Sequence, residues 1–357
     1  IGDFLTQGPK IIEFENKFAE YVDAKFAVAV SNATAGLHIA ALGLGLKIGQ
    51  RVITTPITFA ASANCIRYGC GEVWFADIDP DTFLISLDKV KELVESKPKG
   101  FFSGIIPVAF GGLPVRLDKF KEFAEEHDLW IIEDACHAPG ASFEDSSKEV
   151  IKCGSSVYSD CSVFSFHPVK HIACGEGGMV TTNSKELYDK LLLLRSHGIT
   201  KDNMAQNDGG WYYEMQKLGF NYRLTDIQAA LGITQLAKND KGVVRRNEIA
   251  NKYKMAFEGK LQFQSLPKGL YNAHHLFVIQ VDNRKELYDH LKKNQIFSQI
   301  HYIPVHKLPY YENIGYQGAD LKHSENYYDR CISLPMYPTL TDDDVDFVIL
   351  NVLKFRK

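Results

Sequence analysis

The sequence predicts an α/β protein: a large domain built on a mainly parallel sheet, followed by a small α+β domain. Three observations lead there. Over residues 1–240, short apolar runs rich in β-branched residues alternate with amphipathic stretches, the rhythm of repeated βαβ units. Over residues 241–357 that rhythm gives way to a sparser mixture of helix and strand signals. The chain of 357 residues is 45% hydrophobic and 24% charged, a composition that buries a sizeable core without disulfides or a structural metal.

Phe26–Val30 (FAVAV) is a buried strand that runs into a polar turn at Ser31–Asn32 and a helix from about Thr34. Further strands are predicted at Arg51–Thr54, Glu72–Ala76, Gly104–Val108 and Leu129–Glu133, with helices at Ala60–Tyr68, Leu87–Ser96 and Leu117–His127 between them. Short strands at Cys161–Ser165 and Met179–Thr182 precede a helix at Lys185–Arg195. Lys201–Trp211 (KDNMAQNDGGW) is polar and glycine-rich and reads as a mobile surface loop. A helical pattern then runs from Thr225, an N-cap with Asp226 favourable in the first turn, to about Lys260. Its interruption at Gly242-Val243-Val244 places a division into two helices there. The apolar run Leu276–Val281, a helix at Arg284–Asn294 and the run Ile296–Tyr302 mark the small domain.

Charge and cysteine content exclude several function classes. Forty Lys and Arg against 44 Asp and Glu give a net charge of −4, so no electrostatic nucleic-acid binder is expected. No apolar run is long enough for a transmembrane helix. The seven cysteines are scattered without a C-x-x-C pair, which fits reduced thiols in the cytoplasm. Cys65-x4-Cys70 and His167-x3-His171 have ligand-like spacings but fall in different βα units, so no metal is expected. The chain begins at Ile1 without a basic region followed by an apolar one. It therefore reads as lacking a short N-terminal piece rather than carrying a signal peptide.

Open α/β sheets bind ligands beyond the carboxyl ends of their strands, and four segments fall there. Asn32-Ala33-Thr34-Ala35-Gly36 joins a strand to a helix; its small residues and helix N-terminus suit a phosphate, or else form a plain capping turn. Asp134, ending an apolar strand, is placed either to pair with a cationic ring nitrogen or as a solvated strand end, with His137 beside it. Lys170 lies between Ser165 and the glycines of Gly175-Glu176-Gly177-Gly178, where a buried lysine could form an imine; most lysines are instead solvated surface residues. Asn221 and Arg223, just before the long helical pattern that starts at Thr225, carry donors suited to oxyanions, or else belong to a plain turn with a cap.

Taken together, the order and spacing of these segments resemble the DegT/StrS-type sugar aminotransferases, which use pyridoxal 5′-phosphate (PLP) on the aspartate aminotransferase-like fold (fold type I). The resemblance runs from Thr6-Gln7-Gly8-Pro9 and Phe14-Glu15, through Thr55–Phe59, to His301-Tyr302-Ile303-Pro304-Val305-His306. Ser165-x4-Lys170-x4-Gly175-Glu176-Gly177-Gly178 is its most specific part. Asp3–Pro9, Phe164–Lys170, Leu194–Thr200 and Tyr302–His306 resemble the members that aminate C4 of a UDP-linked 4-keto-6-deoxy-N-acetylhexosamine on the way to pseudaminic acid. Ala35-Gly36 in the phosphate turn and His171, Ala173 and Cys174 after Lys170 depart from the family pattern.

The resemblance implies roles. Lys170 would hold PLP as an imine and move the proton; Asp134 would pair with the protonated pyridine nitrogen. Phe59 would stack on the ring, and Ala33, Thr34 and Ser165 would hold the phosphate. Asn221 would reach the phosphate of a partner subunit, making a homodimer part of the site. His137 stands where the family often has Gln near the ring hydroxyl. Arg223, His301 and His306 are candidates for the substrate's diphosphate rim. The implied reaction moves an amino group from L-glutamate to a nucleotide-linked keto sugar. Family members that dehydrate sugars carry His in place of the imine lysine, whereas here His171 is only its neighbour. The alternatives are a C3 aminotransferase acting on a dTDP-keto-sugar and a catalytically inactive PLP-binding regulator. A serine hydrolase is disfavoured, because no Gly-x-Ser-x-Gly elbow occurs.

Overall fold

A computed structural model describes residues 5–201, 204, 209–318 and 320–355. Asp3, Phe4 and most of the stretch 202–208 therefore lie outside the described residues.

The strands are β1 (Phe26–Val30), β2 (Arg51–Thr54), β3 (Glu72–Phe75), β4 (Phe102–Ile106), β5 (Trp130–Asp134), β6 (Ser142–Glu144), β7 (Val150–Lys152), β8 (Cys161–Ser165), β9 (Gly178–Thr182), β10 (Ile199–Thr200), β11 (Glu214–Met215), β12 (Gln262–Phe263), β13 (Leu270–Tyr271), β14 (Phe277–Gln280), β15 (Gln317–Gly318) and β16 (Cys331–Leu334). Eight of them form the main sheet in the order β1-β9-β8-β5-β4-β2-β3-β15. It is parallel from β8 to β15, and β9 runs antiparallel to both β8 and β1.

The helices are α1 (Pro9–Val22), α2 (Ala33–Gly43), α3 (Ala61–Tyr68), α4 (Leu87–Glu95), α5 (Leu117–Glu126), α6 (Lys185–Arg195), α7 (Asp226–Leu236), α8 (Asn239–Phe257), α9 (Arg284–Lys293), α10 (Pro309–Ile314), α11 (Lys322–Arg330) and α12 (Asp342–Phe355).

Helices cover both faces of the sheet, which is why its strands are apolar almost throughout. Successive residues point to opposite sides. Ile53, Ile105 and Ile131 enter the core shared with α4 and α5, whereas Val52, Ile106 and Ile132 enter the core under α2, α3 and α6. A third cluster joins α1 and α7 to the far end of the sheet through Phe14, Phe18, Phe164 and Phe166. In the C-terminal part, the sheet β12-β14-β16 packs on α8, α9 and α12 around Tyr253, Phe257 and Phe277. Two C-terminal strands instead pair with earlier elements: β13 with β6, and β15 with β3.

Three expectations about elements change. The strand predicted at Gly104–Val108 spans Phe102–Ile106, because Phe102 packs edge-on against Trp74 at 5.3 Å between ring centroids. The strand predicted at Leu129–Glu133 is displaced by one residue and ends on Asp134 itself. The long helical pattern does divide in two, but at Ala237–Lys238 rather than at Gly242–Val244. Gly242 lies inside α8, where its one close neighbour is Pro338 at 3.4 Å from where a Cβ would sit, and an unbroken helix accommodates it.

Thr225 caps α7 as predicted, in a reciprocal capping box with Gln228. Asp226 does more than favour its own helix. Its carboxylate accepts the Gly8 and Lys10 N–H groups at 2.7 and 3.0 Å and so caps α1 from across the chain.

Candidate active site

The carboxyl ends of β1, β2, β5 and β8 converge on one cavity of about 660 Å³. Ala33, Thr34, Phe59, Asp134, His137, Ser165, Lys170 and His301 all line it. The chain thus brings eight of the candidate residues together from segments up to 268 positions apart, counting from Ala33 to His301.

At one end lies the N-terminus of α2. Asn32 caps the helix by accepting the Ala35 N–H at 2.8 Å, so the departure at Ala35 leaves the cap intact. The first intrahelical bond is made by Gly36, which leaves the Ala33 and Thr34 N–H groups ahead of it and facing the cavity. Gly178 is required for this turn to form. A Cβ there would stand 2.7 Å from both the Ala33 nitrogen and the Asn32 carbonyl carbon. Ser165, at the end of β8, adds a hydroxyl to the same wall.

The centre of the cavity carries a fixed carboxylate. The two-residue period of β5 sends Asp134 to the cavity and Glu133 to the opposite face, where it accepts from Ser162 and from the Gly154 N–H. Asp134 accepts from Ser62 Oγ at 2.6 Å and from the Cys136 N–H at 3.1 Å. Ser62 in turn meets Thr58 Oγ1 at 2.8 Å. The carboxylate is only 5% exposed, and these donors fix its direction. Cys136 is held as a thiol, its pKa pushed well up by burial and by the nearby Asp134.

Lys170 follows β8, in a turn closed by its own N–H donating to the His167 carbonyl at 2.8 Å. Burial of its amine lowers the pKa, against the opposing pull of Cys136 and Asp134. A larger share of neutral, nucleophilic amine results. Phe59 presents an aromatic face to the same space and is 62% exposed, a large apolar surface left uncovered inside a cavity. His171 turns away from the cavity, its Nε2 3.0 Å from the Ala273 carbonyl.

The remaining candidates stand elsewhere. Asn221 is exposed, and its Oδ1 accepts from Arg223 Nε at 3.0 Å; neither residue lines the cavity. His306 also lies outside it. It is 2% exposed, 3.1 Å from Glu325, with its ring against Tyr316 and Phe75. His301 lines the cavity, with Nδ1 2.8 Å from Ser333 Oγ.

Ser62, Tyr302 and His275 are the side chains that residue-by-residue reading missed. Ser62 reaches Asp134 across 72 positions, and His275 stacks on His137 at 4.3 Å between ring centroids. No local spacing signals either contact. Tyr302 sits in the His301–His306 segment and could have been found by giving every polar residue of that segment equal weight.

The donor set fits PLP: backbone N–H groups and hydroxyls for a phosphate, a fixed carboxylate for a ring nitrogen, an aromatic face and a buried amine. This fold and this set of groups define a PLP-dependent enzyme.

A family model described as the DegT/DnrJ/EryC1/StrS aminotransferase family matches residues 2–353. The chain is 40% identical to the spore coat polysaccharide biosynthesis protein SpsC of Bacillus subtilis, with 97% of this chain and 89% of that protein covered. It is 36% identical to the UDP-4-amino-4,6-dideoxy-N-acetyl-β-L-altrosamine transaminase of Campylobacter jejuni, with the same coverage of 97% and 89%. Among solved structures, Helicobacter pylori PseC, an aminotransferase of pseudaminic acid biosynthesis, superposes with a TM-score of 0.88 at 30% identity, over 99% of this chain and 92% of that one. The chain belongs to the DegT/DnrJ/EryC1/StrS aminotransferase family. It is a fold type I, PLP-dependent nucleotide-sugar aminotransferase. Among the described residues no helix is long and apolar enough to cross a membrane.

Proposed function

We propose that this enzyme transfers an amino group from L-glutamate to C4 of a UDP-linked 4-keto-6-deoxy-N-acetylhexosamine, as a cytoplasmic homodimer serving a route to pseudaminic acid. The observation that carries the site assignment is the meeting of Lys170, Asp134 and the α2 N-terminus in one cavity. The choice of sugar is supported by the 36% identity to the C. jejuni transaminase and by the likeness to PseC.

Residues 1–240 would hold the cofactor and 241–357 would close over it. Ala33 and Thr34 would bind the phosphate through N–H groups, joined by the Thr34 and Ser165 hydroxyls. Asp134 would keep the ring nitrogen protonated. Phe59 would cover one ring face and fix its tilt. PLP, when bound, supplies the electron sink for a carbanion at the amino-bearing carbon. Lys170 would anchor it through Nζ and, once released by the amino donor, would carry the proton on that nitrogen. His301 would face the sugar nucleotide and Arg223 would serve its diphosphate from outside the cavity; His306, buried against Tyr316 and Phe75, is not placed to reach that diphosphate. Asn221 is exposed, as a residue reaching a partner subunit's phosphate must be.

The test is the visible absorbance of the PLP-loaded protein before and after L-glutamate, in wild type and Lys170→Ala. A band that exchanges for the pyridoxamine form in wild type alone supports the assignment, whereas an unchanged wild-type band would leave a PLP-binding regulator. Product analysis with UDP-linked 4-keto and dTDP-linked 3-keto sugars then decides the position; turnover of only the latter refutes C4.

A further inference from the structure

His137 and Tyr302 meet in the cavity wall, the first from the turn after β5 and the second from the segment leading out of the C-terminal sheet. His137 Nδ1 accepts the Gly111 N–H at 3.3 Å. A backbone N–H can only donate, so this nitrogen carries no proton. The turn that aims it is rigid: Gly111 adopts φ +71°, and the Phe110 and Gly112 N–H groups bond to the Val108 and Ala109 carbonyls at 2.8 and 3.1 Å. The ring is buried against His275 and Phe110, so it is neutral and its single proton sits on Nε2. That nitrogen is 3.2 Å from Tyr302 Oη. The imidazole therefore donates and the phenol oxygen accepts. Among the described residues Tyr302 Oη has no other hydrogen-bond partner, which leaves the phenol's own proton to be offered to the cavity.

PLP has four polar positions. The α2 turn, Asp134 and Lys170 answer its phosphate, ring nitrogen and aldehyde carbon. The ring hydroxyl oxygen is left without a donor. We infer that Tyr302 donates a hydrogen bond to that oxygen, and that His137 is a positioning residue acting through Tyr302 rather than touching the ring itself. This rests on the PLP site proposed above and departs from the contact that the family resemblance gives to His137. Phe59 and Phe110 hold the tyrosine ring, with centroids 6.3 and 6.2 Å away.

A hydrogen bond to the ring oxygen favours its anion and so lowers the pH at which the cofactor's visible absorbance titrates. Lys170, Asp134, Cys136, His137, His167, Glu176 and His301 are the other titratable groups facing the cavity, and removing the Tyr302 hydroxyl leaves all of them in place. The experiment is a pH titration of the visible absorbance of PLP-loaded wild type, Tyr302→Phe, His137→Phe and His137→Gln. Tyr302→Phe is expected to raise the midpoint by about one pH unit. His137→Phe should move it the same way by less, since the hydroxyl stays but loses its anchor. His137→Gln should restore the wild-type midpoint, because an amide can accept from Gly111 and donate to Tyr302. An unshifted midpoint in Tyr302→Phe overturns the inference alone, as does a larger shift in His137→Phe than in Tyr302→Phe. Absence of any visible band in wild type overturns the PLP site and the inference together.

Discussion

A stack of neutral histidines lies behind the cavity, and acid should destabilise the fold through it. His137, His275 and His171 follow one another at 4.3 and 5.4 Å between ring centroids. Burial pushes all three well below 6.5, reinforced by Lys170 at His137, by Arg246 at His171 and by His137 itself at His275. Burial likewise lowers His274 to about 3 and His301 to about 4. In the unfolded chain each takes up a proton near pH 6.5, whereas in the folded chain it does so only far below. Their stabilisation is complete above 6.5 and is lost as the pH falls toward the folded values. One unit below 6.5, each costs about 1–2 kcal/mol, or roughly 7 kcal/mol for five acting independently. Glu15 and Glu133 oppose this. Burial raises both their pKa values, so the folded state takes up their protons first and part of the loss is offset. The net loss is set against a typical stability of about 5–15 kcal/mol. Urea unfolding at pH 7.5 and 5.5, with PLP saturating at both, measures it. His275→Phe should flatten the dependence by about one histidine's share. A His275→Phe slope equal to wild type would refute the reasoning.

Three further substitutions probe the site and its frame. Ser62→Ala removes the 2.6 Å donor to Asp134; a bond to a charged group is worth about 1.5–3 kcal/mol, so PLP affinity should fall about 10- to 100-fold, read by absorbance titration. An unchanged dissociation constant would mean that Asp134 is held without Ser62. Gly178→Ala forces a methyl to within 2.7 Å of the Ala33 nitrogen, and should weaken PLP binding while leaving the far-ultraviolet circular dichroism intact. Arg195→Ala strips Glu15 of its 2.6 Å ion-pair partner in a buried setting and should cost about 3–5 kcal/mol in urea unfolding. Adding Glu15→Gln to that variant should recover part of the loss.

What was legible in the sequence follows from how local each cause is. A strand buried on both faces must be apolar over its whole length, so FAVAV and its counterparts stand out without knowledge of their neighbours. Asp134 and Lys170 could be singled out because strand ends face the ligand side in this architecture. The start of β4 is set by an edge-on aromatic partner on another strand, Trp74, and the α7–α8 break falls at Ala237–Lys238, where no glycine or proline marks it. The α1 cap depends on Asp226, 216 positions beyond Lys10. Ser62 and His275 belong to the site for the same kind of distant reason.

The His301–His306 segment shows how one motif divides its work. Upstream, Gln299 bridges to Ser333, Ser333 Oγ meets His301 Nδ1, and Tyr327 Oη donates to the His301 carbonyl at 2.6 Å. These contacts fasten His301 and Tyr302 to β16 and α11, so both side chains reach a cavity otherwise built from the first half of the chain. Downstream, the Val305 N–H donates to the Pro56 carbonyl at 2.9 Å, which turns His306 toward Phe75 and Glu325 at the β3 edge. Pro56 lies in the same loop as Phe59. The strap that buries His306 therefore also braces the loop carrying the aromatic face. A substitution at His306 should act through the position of Phe59, in cofactor tilt and affinity, before it acts on any substrate contact.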